Sequence, residues 1–226
     1  MRIPRPLHRW NVTPARAIEI QRRLARRVRI EPLAGPVRFV AGADVTFTPD
    51  EAYCIAGIVV WDLLRREIAE SAVARRAARF PYVPGLLSFR EAPAVLAAVR
   101  KLRIMPDAFM FDGQGLAHPR RFGLACHVGL CLDRPSLGCA KSRLCGEYEE
   151  PAQSRGASSP LRLGDETVGA VLRTRDGVKP VYVSVGHRVT LRDAVRLVLD
   201  CDQGVRLPEP TRRAHHLVTV ERYRAT

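Results

Sequence analysis

An aspartate stands inside an apolar run, Val40-Ala41-Gly42-Ala43-Asp44-Val45-Thr46-Phe47. Burying a carboxylate costs free energy unless something cationic meets it. Any fold for this chain must carry Asp44 to a point where charge is useful, or to an edge or bulge that water reaches. The surrounding run, residues 37–47, reads as a strand ending at Thr48-Pro49-Asp50. A second run over 52–61 and an alternating stretch over 65–73 follow closely enough to pair with it antiparallel. Downstream, the spacing predicts helix over 93–101, strand over 107–111, helix over 121–131 and a short strand over 136–139. Residues 147–160 hold Ser, Gly, Pro and acids without periodicity and read as a surface loop. A strand pair over 167–172 and 181–185 and a final helix over 191–199 complete the pattern. Three strands followed by alternating helix and strand fit an α/β mixed sheet with helices on both faces. The length, 226 residues, suits one domain spanning 1–226.

Two more acids share the setting of Asp44. Asp112 ends the apolar run Ala108-Phe109-Met110-Phe111 and enters Gly113-Gln114-Gly115. Functional side chains often sit where a strand opens into such a turn. Glu91 precedes the helix expected near Pro93 and so lies near a helix N-terminus. Each has a plainer reading: an edge residue, a turn starter, a first-turn acid favoured by the helix dipole. Converging in one sheet, the three would repel and resist ionising. A divalent cation relieves that conflict, and oxygen ligands suit Mg2+ or Mn2+. Nearby, His118 could orient water or polarise a phosphate, or be an ordinary surface histidine. Lys141 is one of only three lysines among 37 basic residues. A compact point charge there suits a phosphate, although a solvated lysine is the plain alternative. Tyr82, in Pro81-Tyr82-Val83-Pro84-Gly85, sits on a rigid turn from which an aromatic could wedge into a base stack, or simply pack in a loop.

The formal net charge is +14. A chain this basic usually meets a polyanion, with Arg-rich compositional drift as the competing explanation. No apolar stretch reaches the length of a membrane helix. Residues 13–30 are Arg-rich and amphipathic. Glu19, Glu31 and the Thr13-Pro14 start favour a surface helix with Ile18, Leu24 and Val28 inward over a targeting segment. The six cysteines form no C-x-x-C pair and read as free structural thiols. A cytoplasmic protein is expected.

The motifs together resemble the endonuclease V family of deoxyinosine 3′-endonucleases. The resemblance rests on Gly42 to Phe47, Phe80 to Glu91, Phe111 to Arg120, Gly138 to Gly146 and Leu207 to Arg212, in order and along the whole chain. It implies a ribonuclease H-like fold and nicking of DNA at the second phosphodiester bond 3′ to a hypoxanthine. It implies metal-binding acids at Asp44, Glu91 and Asp112, a further ligand at His215, and His118 and Lys141 near the scissile phosphate. It implies a DNA wedge at Tyr82 and a lesion pocket from Gly85, Leu87, Gly113, Gly123, Leu124 and Leu144. The cofactor implied is Mg2+, with Mn2+ as substitute. The partner is DNA containing deaminated bases, or alternatively inosine-containing RNA, met by a monomer away from membranes. A non-catalytic basic module would bind without metal or cleavage, and the intact acid set speaks against it.

Overall fold

In the computed structural model, which describes residues 3–224, the run around Asp44 forms β1 (Phe39–Phe47). β1 is a central strand. It pairs antiparallel with β2 (Tyr53–Asp62) on one side and parallel with β4 (Ala108–Phe111) on the other. With β3 (Glu67–Ala77), β5 (Ser136–Ala140), β6 (Ser158–Leu163), β7 (Glu166–Leu172) and β8 (Val181–His187) these build one sheet, ordered β3-β2-β1-β4-β5-β8-β7-β6. The strands alternate their side chains between two layers. Ala41, Ala43, Phe109 and Phe111 pack with α2 (Leu87–Val99) and α3 (Leu124–Leu132). Val40, Met110 and Leu137 face the other way, toward α4 (Leu191–Asp200). Phe89, Phe109, Phe111 and Phe122 are fully buried, and each contributes about 1.5–3 kcal/mol of apolar burial. The result is the ribonuclease H-like arrangement of a mixed sheet between helices.

α1 (Pro14–Ala25) begins as its sequence predicts. The Thr13 hydroxyl accepts from the Arg16 amide, and Pro14 takes the first turn, where no amide donor is needed. The helix is shorter than 13–30; its fully buried face is Ala17, Ile20, Gln21 and Leu24, with Ile18 and, beyond the helix, Val28 partly buried against the same cluster.

Other boundaries also differ. α2 starts at Leu87, so Glu91 lies in its second turn instead of ahead of it, and Pro93 sits inside the helix. Pro93 has no amide to offer the Phe89 carbonyl, a cost the buried apolar face outweighs. α3 opens at Leu124, three residues later than expected, after the backbone has turned through Gly123. The third strand runs on to Ala77, and the loop at 147–160 passes into β6. The last helix is not α4. A further one, α5 (Glu209–Arg224), crosses β1 and β2 and buries only Glu209, Pro210, Thr211, Ala214 and Val218. Its seat is Gly42 of β1, where an added Cβ would lie 2.0 Å from the Pro210 carbonyl carbon.

Candidate active site

Parallel pairing brings two of the acids together. Ala43 pairs with Phe111, and the Asp112 amide donates to the Ala43 carbonyl at 3.1 Å. Asp44 and Asp112 are the next residues along the two strands, so both carboxylates emerge at one level. α5 delivers His215 to the same point, with Nδ1 2.7 Å from Asp44 Oδ2. One ligand atom from each of Asp44, Asp112 and His215 lies within 4.8 Å of the others. The neighbouring His216 is not in this group. Lys141, just past β5, places Nζ 2.5 Å from Asp112 Oδ2.

The electrostatics of the site are those of crowded carboxylates. Burial, then the charge of Asp112, raises the Asp44 carboxyl above its ordinary range. Glu91 is pushed up to about 8, first by burial and then by Asp44 and Asp112. It stands outside the three-residue ligand group, in the wall that links that group to a pocket. Two carboxylates and an imidazole at one point suit a hard divalent cation, which would relieve the repulsion that raises these groups.

The pocket opens beside the acids and has a volume of about 390 Å3. Tyr82, Gly85, Leu87, Gly113, Gly123, Leu124 and Leu144 all line it, together with Glu91, Asp112, His118 and Lys141. Its rim carries exposed apolar side chains. Tyr82 is 68% exposed, and Leu87 and Leu144 are also open to solvent. Gln114 donates from Nε2 to the Ser142 carbonyl at 3.0 Å and so ties the turn after β4 to the loop that carries Lys141.

His118 is placed differently from the other polar residues. Its Nδ1 accepts from the Arg120 amide at 3.1 Å, which leaves the proton on Nε2, and Nε2 donates to the Gly85 carbonyl at 3.0 Å. Burial, with the Arg120 charge second, lowers the ring to about 4, so it is neutral. The same carbonyl accepts from Gln21 Nε2 at 2.9 Å and Arg120 Nη2 at 2.6 Å. Arg120 Nε also donates to Gln21 Oε1 at 2.5 Å. Gly85 holds a φ of +75°, a left-handed conformation that favours glycine. Three donors on one carbonyl clamp the base of the Pro81-to-Gly85 turn while Tyr82 at its tip stays free. Gln21 escaped the sequence reading. Its one signal is a polar residue between Ala17 and Leu24 on the buried face of α1.

The Endonuclease V family model matches residues 22–216. Endonuclease V of Roseiflexus castenholzii is 52% identical over 212 residues, covering 94% of this chain and 95% of that protein. The crystal structure of Endonuclease V from Streptomyces avermitilis aligns with a TM-score of 0.91 at 43% identity, covering 96% of each chain. Endonuclease V of Ciona intestinalis, solved with a 23-mer DNA containing an inosine followed by a ribo-adenosine, aligns with a TM-score of 0.81 at 22% identity. It covers 95% of this chain and 100% of that one, and it shares the fold. The match spans both acid-bearing strands, the Tyr82 turn and the helix that supplies His215, and on this extent and identity the chain belongs to the Endonuclease V family of endonucleases.

Proposed function

We propose that this chain is a DNA-repair endonuclease that recognises hypoxanthine in deoxyinosine and nicks the strand at the second phosphodiester bond 3′ to it. The observation that carries this reading is continuity. The Asp44, Asp112 and His215 group lies against a base-sized pocket whose rim holds the exposed ring of Tyr82. Asp44, Asp112 and His215 would hold Mg2+ or Mn2+, which supplies Lewis acidity at the scissile phosphate. Glu91, raised by burial and by the charges of Asp44 and Asp112, stands beside them in the pocket wall and would complete the acidic set once a cation offsets that repulsion. The Lys141 ammonium offsets negative charge developing on the phosphate. Deamination of adenine replaces the N6 donor with an acceptor, so the lesion pairs weakly and is cheaper to extrude. Gly85, Leu87, Gly113, Gly123, Leu124 and Leu144 would enclose the extruded base, and Tyr82 would fill the gap it leaves. His118, with Gln21 and Arg120, holds that turn and, lining the pocket with Asp112 and Lys141, would stand near the scissile phosphate.

The reading extends to one domain over residues 1–226, of which 1, 2, 225 and 226 lie outside the described residues. The protein acts as a monomer, since one chain supplies every group of the site. No helix among the described residues is long and apolar enough to cross a membrane. The six cysteines are all free thiols, as a reducing cytoplasm would keep them.

The test is a labelled duplex with a single deoxyinosine, incubated with Mg2+, with EDTA, and with the Asp44→Ala protein. A nick one nucleotide 3′ of the lesion, lost with EDTA and in the variant, is the expected result. Cleavage only of the matched inosine RNA would move the substrate to RNA. Binding without cleavage of either would replace the enzyme by a basic binding module.

A further inference from the structure

A groove of about 570 Å3 lies between the end of β3, α2 and the N-terminal segment around Trp10. Arg75, Arg76, Arg79, Arg90 and Arg100 line it, and no carboxylate does. Arg75, Arg76 and Arg79 are exposed, and none of the three is in an ion pair among the described residues. Some surface arginines elsewhere pair with acids, as Arg16 does with Glu19, Arg155 with Asp202 and Arg188 with Glu31, while others, such as Arg22, Arg23, Arg26 and Arg27, are exposed and in no ion pair among the described residues. Compositional drift toward arginine would scatter charge. It does not by itself account for five arginines lining one concavity with no lining acid, although the Arg75 guanidinium also stacks over the Tyr53 ring at 4.0 Å and Arg90 pairs with Glu51. Arg90 is 9% exposed and its Nη2 is held by Glu51 at 2.8 Å, yet its Nε has no hydrogen-bond partner. Such a concentration of like charge raises the local potential and draws anions.

The shape of the charged row selects the anion. Arg75 and Arg76 lie on edge strand β3, and Arg79 follows its last residue, Ala77. At about 3.3 Å per extended residue, Arg75 to Arg79 spans roughly 13 Å. Phosphates advance about 3.4 Å along the axis of each strand, so three such side chains can meet two to three neighbouring phosphates. Arg79 is also three residues from Tyr82, at the rim of the pocket. A small anion would need one focus, whereas these arginines are spread along the chain that leads to Tyr82.

We propose that this groove seats the phosphodiester backbone of the substrate on the flank of the lesion that leaves past Tyr82. The site is separate from the acids and from the base pocket, although it rests on the nucleic-acid reading above. Its role is to add affinity for extended substrate.

The test uses the full chain carrying Arg75→Gln, Arg76→Gln and Arg79→Gln together, all exposed positions, with an unchanged melting temperature as the check of folding. Binding is followed by anisotropy, with Ca2+ in place of Mg2+, on a long inosine duplex and on duplexes shortened on one flank or the other. The triple variant is expected to bind the long duplex about 10- to 100-fold more weakly at moderate salt. Its plot of log affinity against log salt should be shallower by about two to three, at roughly 0.9 per phosphate contact. Shortening one flank should cost the native protein a similar factor and the variant nothing further. An unchanged salt slope, or an equal loss on all duplexes whichever flank is shortened, overturns the proposal. If the native protein shows the flank effect but does not cut inosine DNA, the functional reading fails and the groove stands. If it cuts and shows no flank effect, the groove fails alone.

Discussion

Gly42→Ala tests whether the close seating of α5 on β1 builds the site. The new Cβ would lie 2.0 Å from the Pro210 carbonyl carbon, 2.1 Å from its oxygen and 2.5 Å from the Thr211 amide nitrogen. These are backbone atoms and cannot rotate away. Restoring ordinary contact pushes the start of α5 outward by about 1.4 Å, an overpacking that costs roughly 1–3 kcal/mol. Against this, replacing glycine lowers the entropy of the unfolded chain and returns about 0.4–1 kcal/mol. The steric cost wins, leaving a loss of about 1–2 kcal/mol, or roughly 2–8 °C in melting temperature for a chain of this size. His215 travels with α5, so its 2.7 Å contact with Asp44 opens. A displacement of about 1 Å in a catalytic group can cost around 100-fold in rate. The assays are calorimetry and single-turnover nicking of a deoxyinosine duplex. Gly57→Ala is the comparison, because its Cβ would meet only side-chain atoms, Val218 Cγ1 at 2.7 Å and Leu217 Cδ2 at 3.3 Å. Those can yield, and a milder effect is expected. A Gly42→Ala protein that melts within a degree of the native one and nicks at full rate would refute the seating of α5 as the device that places His215.

Three other outcomes follow from the same geometry. Mg2+ at about 100 times its dissociation constant should stabilise the native protein by about 2.7 kcal/mol, and this rise in melting temperature should vanish in Asp44→Asn with Asp112→Asn. Tyr82→Ala should leave stability within about 0.5 kcal/mol, since the ring is 68% exposed, yet remove the binding preference for inosine over undamaged duplex. His118 is lowered from 6.5 to about 4 in the folded chain, so its contribution is present above pH 6.5 and lost as pH falls toward 4. At pH 5 the loss is about 2 kcal/mol, and His118→Gln should flatten the fall of melting temperature between pH 6.5 and 4.

The juxtaposition of Asp44 with Asp112 was legible because each acid interrupts or ends an otherwise apolar run, and such runs pair in a sheet. The third ligand was not legible from its own segment. α5 is largely polar around the ring, with charged residues at Arg212, Arg213, Glu221, Arg222 and Arg224, and it buries small side chains against glycines on β1 and β2. A helix held by close approach, not by a broad apolar stripe, leaves little periodicity to read. His215 was reached only through the family resemblance. Glu91 lies one turn further into the helix than Pro93 suggests as a start, because proline is tolerated inside α2, whose remaining positions are almost all buried. The Gly85 clamp joins residues 21, 85, 118 and 120, and no local pattern announces a contact of that range.

The separation of Asp44 from His215, 171 residues, has a consequence for how the activity arises during folding. Contacts of such range form only after long loops have closed, and they form late. β1 to β4 can hold two carboxylates near one another while α5 is still undocked, but His215 is then missing from that point. An incompletely folded chain, or one cut before α5, keeps most of its arginines and would still be drawn to nucleic acid. It would lack His215 beside the two acids. If His215 is a ligand as proposed, cleaving power is linked to completion of the native topology, and a misfolded copy would be a sticky protein but not a stray nuclease.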